Sequence, residues 1–145
     1  MAIQPEHRAL IYVMVLVSAA DSDMTDRELF TIGELVRVLP VFRNFPQKQL
    51  PAVAEQCAEI LAKDGLDAVI DYAAKELPDH LRETAYVMAC DVAAAEGRLR
   101  QEEIKLLEFL RHRIGIGRLP AAAIERAAKA RFEHLKPRAA PKKKR

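Results

Sequence analysis

In the run Ala9-Leu10-Ile11-Tyr12-Val13-Met14-Val15-Leu16-Val17, the Tyr12 hydroxyl is the only polar side-chain group. Pro5 suits the first turn of a helix and Glu6 suits its positive end, so the sequence predicts a helix over Pro5–Ala20. A surface helix needs one apolar stripe; a helix that is apolar nearly all round must be enclosed by other elements. The run is too short to cross a bilayer, which takes roughly 20 residues. With Arg8 before it and Ser18-Ala19-Ala20 after it, the segment has the outline of a signal peptide with a small-residue cleavage site. Against that stands an internal twin: Tyr86-Val87-Met88-Ala89-Cys90 occupies the same place before a second acidic turn, deep inside the chain. A core helix in a cytoplasmic protein is the expectation.

Those two turns are the most distinctive part of the chain. The first, Ala19-Ala20-Asp21-Ser22-Asp23-Met24-Thr25-Asp26-Arg27-Glu28, leads into a second helix. Thr25-x-x-Glu28 has the spacing of a capping box, in which each side chain bonds the other residue's backbone N–H. Leu29, Ile32, Leu35, Val36 and Leu39 then supply a helical apolar stripe, stopped by Pro40. The other turn is Ala94-Ala95-Glu96-Gly97-Arg98-Leu99-Arg100-Gln101-Glu102-Glu103. Shifting the sequence by 75 positions lays Val15–Glu34 over Cys90–Phe109 and pairs Asp21 with Glu96, Glu28 with Glu103, Leu29 with Ile104 and Ile32 with Leu107. Two helical hairpins about a pseudo-twofold axis would bury both stripes.

Between and beyond the turns the same signals mark five more helices. The Val41–Phe45 connector, with two aromatics, is expected to fold onto the core. Pro46 opens a third segment that restarts at Pro51 and ends at Asp64-Gly65, Gly being common just past a helix C-terminus. Leu66–Leu77 follows with Leu66, Val69, Ile70 and Ala73 inward. Pro78-Asp79 starts a helix reaching about Glu96; Arg100–Ile114 has Ile104, Leu107 and Leu110 inward; Pro120 begins an Ala-rich helix ending near His134. The expected fold is all-α, about seven helices in an orthogonal-type bundle. One domain covers 1–135, and 136–145 is a solvated basic tail with six Lys/Arg and no acid. Without that tail the body has 17 basic and 21 acidic residues, so overall pI is a poor guide to partners.

Candidate chemistry lies in the turns. Asp21, Asp23, Glu28, Glu96 and Glu103 offer hard oxygen donors of the kind that suit Ca, Mg or Mn. An EF-hand loop is excluded: counted from Asp21, its glycine position is Asp26 and its bidentate glutamate position is Ile32. Helix capping accounts for Thr25 and Glu28 without any metal, and Asp21 and Asp23 are left over. Asp91 is a further candidate, a lone carboxylate between Cys90 and Val92; a buried Asp must be paired or hydrogen-bonded. His7, His80, His112 and His134 lack zinc-ligand spacing and read as surface or helix-end residues. No phosphate loop or nucleophile elbow occurs, so no catalytic residue and no enzymatic activity are assigned. Cys57 and Cys90 lie on apolar stripes and read as packing thiols. The tail has no interleaved aromatics, and no specific nucleic-acid partner and no membrane span are expected.

An apolar helix running into an Ala-Ala-Asp/Glu-Gly turn with a glutamate further on, present twice, resembles the TerB-like tellurite-resistance domain. Ala94-Ala95-Glu96-Gly97-Arg98-Leu99 carries the motif with Glu for Asp, and Ala20-Asp21-Ser22-Asp23 carries it with Ser22 for Gly. Asp64-Gly65-Leu66 and Leu77-Pro78-Asp79 look like the family's central helices, and the resemblance spans roughly 8–116. It implies a duplicated-hairpin fold, a divalent cation on the acidic turns, and a link to bacterial tellurite and chemical-stress response; no enzymatic reaction is settled for the family. Arg98 beside Glu96 departs from that pattern and offsets its charge. The alternative is a protein-interaction or homodimer module whose acids are only caps.

Overall fold

The computed structural model describes residues 2–19, 24–95 and 101–138, except for the side chains of Gln101 and Glu102. Among the described residues there are seven α-helices and no strand. They are α1 (Pro5–Ser18), α2 (Asp26–Val38), α3 (Leu50–Asp64), α4 (Leu66–Glu76), α5 (Asp79–Ala95), α6 (Gln101–Arg113) and α7 (Arg118–Arg131). Two 3₁₀ turns, Pro40–Phe42 and Gln47–Gln49, carry the chain from α2 to α3.

α1 is enclosed on every side, as its composition demands. Each residue from Ala9 to Val17 is at most 3 % exposed, and α1 packs against α2, α3, α4, α5 and α6. α4 and α5 pack on it equally, and α5 is buried almost as deeply: Ala85, Tyr86, Met88, Ala89, Cys90, Val92 and Ala93 all lie in the core. The remaining helices coat this central pair, and α7 packs on α5.

Local signals place the helix ends. The Thr25 hydroxyl accepts from the Glu28 N–H at 3.1 Å while Glu28 Oε1 accepts from the Thr25 N–H at 3.0 Å, so both arms of the capping box form. Pro51 sits in the first turn of α3, where its missing N–H costs nothing. Gly65 has φ +85° and joins α3 to α4 in a conformation that L side chains rarely adopt.

Two sequence expectations need correction. Leu66, expected inward, is 45 % exposed because it is the first residue of α4, at the corner beyond Gly65. Ile104, also expected inward, is 38 % exposed, whereas Leu107 and Leu110 on the same helix are buried. His7 stands at a helix end, as one of its two readings expected, in the first turn of α1, and is buried there. The connector explains it: Phe42 stacks on the imidazole with ring centroids 5.4 Å apart, Phe45 meets it edge-on, and His7 Nε2–H donates to Val41 O at 2.8 Å. Asn44, at φ 70°, turns the chain between the two phenylalanines.

Leu10 lies at the middle of this packing, fully buried on α1. Leu10→Ala leaves a cavity that surrounding helices cannot collapse into, and a loss of about 2–5 kcal/mol is expected from urea unfolding followed by circular dichroism.

Candidate functional site

The two acidic turns join α1 to α2 and α5 to α6. Their central acids, Asp21, Asp23 and Glu96, lie outside the described residues. Glu28 and Glu103 are described, and they occupy equivalent places, each the third residue of its helix. Glu28 is half-buried with one oxygen committed to the cap; Glu103 is 5 % exposed. Just before the first turn, at the end of α1, the Ser18 hydroxyl is buried and has no hydrogen-bond partner among the described residues. Among the described residues no group of three or more His, Cys, Asp or Glu side chains is placed to hold a metal ion.

Asp91 sits apart from the turns, buried on α5, with its carboxylate bonded to the Arg131 guanidinium of α7. The guanidinium is half-exposed and also lies 6.0 Å from the Phe132 ring. One helical turn before Asp91, the Tyr86 hydroxyl donates to Glu125 Oε2 at 2.6 Å. These two links hold α7 against α5. Asp91 thus has a charge partner 40 residues away in sequence, which adjacent residues do not reveal. A cleft of about 260 Å³ opens beside the Tyr86–Glu125 link, with Tyr86 and Leu107 among its lining residues and Arg118 and Glu125 among its charged ones.

Arg82 on α5 plays a different role. Its guanidinium donates to Ala74 O at 2.7 Å, Leu77 O at 3.3 Å and Ile114 O at 3.0 Å, which are carbonyls at the C-terminal ends of α4 and α6. A cation there satisfies acceptors that have no partner within their own helices and complements the negative helix ends.

The cysteines are placed for packing. Cys57 is fully buried, with Sγ 3.7 Å from Tyr12 O, and burial pushes its thiol up to about 12. Burial likewise pushes the Cys90 thiol up to about 12, against a smaller opposing effect of the Tyr86 hydroxyl. Burial, then the Glu125 contact, also raises the Tyr86 phenol. At neutral pH both sulfurs are protonated and poor nucleophiles.

Comparison with protein families decides the affiliation. The family model described as "Tellurite resistance protein TerB" matches residues 7–129. The chain belongs to the TerB family. Searches of curated proteins and of solved structures returned no match. The TerB match begins in the first turn of α1 and ends within α7, so it takes in both acidic turns and the α5–α7 contact. Among the described residues no helix is long and apolar enough to cross a membrane.

The raised thiols make stability depend on pH. In the unfolded chain they titrate near 9.0; in the native protein, near 12. The unfolded state therefore binds fewer protons above the lower value, and the contribution present below it is lost as pH rises. Urea midpoints are expected to fall from about pH 8 to about pH 10.5, less steeply in a Cys57→Ala/Cys90→Ala variant.

Proposed function

We propose that this TerB domain works by binding rather than catalysis, taking up a divalent cation on its acidic turns as part of a bacterial response to tellurite and chemical stress. The observation that carries the reading is the matched placement of Glu28 and Glu103 at the third position of α2 and α6. These helices each pack against both α1 and α5. That arrangement favours two hairpins related by a pseudo-twofold axis, one acidic turn on each. Asp21 and Asp23 would hold the ion, joined by the Glu28 oxygen left over from the cap; Glu96 and Glu103 are the corresponding acids of the second turn. The donor set fits Ca²⁺, Mg²⁺ or Mn²⁺, which prefer carboxylate, carbonyl and water oxygens. Ser18, with its uncommitted hydroxyl, stands three residues before Asp21. The cation would supply charge neutralisation between acids that otherwise repel. The family affiliation supports the link to tellurite.

Isothermal calorimetry with Ca²⁺, Mg²⁺ and Mn²⁺ tests this. Binding tighter than about 1 mM is expected, and Asp21→Asn/Asp23→Asn should abolish it. Binding that the double variant leaves unchanged defeats the assignment.

A second reading, a homodimer or protein-docking module, draws support from α2, where Phe30 is 68 % and Val38 63 % exposed. The connector gives it none, since Phe42 and Phe45 are buried within this one chain and Phe132 is half-buried. Sedimentation velocity should then resolve a concentration-dependent dimer that Phe30→Ser disrupts; a monomer at every concentration removes the homodimer.

A further inference from the structure

Charge is divided unevenly along the chain. Residues 1–100 hold 10 basic and 16 acidic residues, whereas residues 101–145 hold 13 basic and five acidic ones. Within that C-terminal part, the acids on α7 and just after it have partners other than the neighbouring cations. Glu125 accepts from Tyr86, and Glu133 accepts from the His134 N–H. Among the described residues, Arg118, Arg126, Lys129, Lys136 and Arg138 have no carboxylate within ion-pair distance. All five are exposed, and Lys142, Lys143, Lys144 and Arg145 continue the positive run in sequence.

The face of α7 turned away from α5 is unusual for a surface helix. Ala121 and Ala128 point into the core, which leaves Leu119, Ala122, Ala123, Arg126, Ala127 and Ala130 exposed. Leu119 is 81 % exposed, and Leu135, just beyond the helix, is 98 % exposed. Cations therefore alternate with aliphatic side chains along one outer surface. Nucleic-acid surfaces pair their cations with polar side chains for base edges or aromatics for stacking. α7 contains no Asn, Gln, Ser, Thr or aromatic residue, and of the two rings in the segment after it Phe132 is half-buried and His134 stands alone on the outside.

We propose that α7 and the segment after it form the surface by which this protein docks on an anionic phospholipid bilayer. The guanidinium and ammonium groups meet lipid phosphates, while Leu119 and Leu135 enter the headgroup boundary. The acidic body is repelled by the same surface, so the protein docks with α7 toward the lipid and the turns of α1–α2 and α5–α6 are not needed for attachment. Attachment is peripheral and reversible, weakening as salt screens the charges.

Co-sedimentation of the full chain with vesicles tests the proposal. One set is phosphatidylcholine alone; the other mixes phosphatidylglycerol and phosphatidylcholine equally. Association with the second set only is expected, falling as salt rises. Each cation near an anionic surface strengthens binding roughly fivefold, so Arg126→Ala/Lys129→Ala should weaken it about 25-fold. Leu119→Ser/Leu135→Ser should weaken it while leaving the salt slope unchanged. All four positions are exposed, and circular dichroism should report a wild-type fold in both variants. Equal association with both vesicle sets, or none with either, overturns the proposal. So does retention on duplex DNA at salt that releases the protein from vesicles, with the leucine variant binding as wild type; the partner is then nucleic acid.

Discussion

The structure depends on a helix that has no face to show to water. Every side chain from Ala9 to Val17 is buried, so the chain must supply neighbours all round α1, and five other helices do so. α5, the next most buried helix, lies against it, and the two together leave little room for polar groups. Those that do enter the interior are tied down. His7 donates to Val41 O, Asp91 meets Arg131, and Tyr86 donates to Glu125. An unpaired polar group at such depth costs about as much as a hydrogen bond contributes, or more. The Ser18 hydroxyl is the exception among the described residues, and it stands beside the first acidic turn.

Enclosing α1 also sets where charge can go. The acids gather at the starts of helices and on the coat of the bundle. The bases gather on α7 and after it, and α7 is bound to α5 through two acid-containing links, Asp91–Arg131 and Tyr86–Glu125. One surface of the protein is therefore positive and faced with aliphatic side chains, while the acidic turns belong to other helices. The two proposed binding roles are compatible in a domain of this size because they would use separate elements of opposite charge.

Much of this was legible in the residues. Capping signals, prolines and glycines marked the helices closely; Thr25 and Glu28 form the capping box that their spacing predicts, and Pro51 restarts α3 within its first turn. The TerB affiliation was legible in the doubled Ala-Ala-Asp/Glu motif and is carried by the match over residues 7–129. The failures share one cause. Leu66 and Ile104 fall on apolar stripes yet are partly exposed. A stripe gives the direction of a helical face but not how far the neighbouring helix extends to cover it.

By itself, then, the sequence determined the helices, their ends and the need to bury α1, because capping, turn formation and hydrophobic periodicity act over a few residues. Tertiary structure decided the partners. Arg131 reaches Asp91 from 40 residues away, Arg82 spans from α5 to the last carbonyls of both α4 and α6, and Phe42 closes over His7 from the connector. Each is a contact between elements whose relative placement follows from packing around a shared core, and no local pattern encodes it.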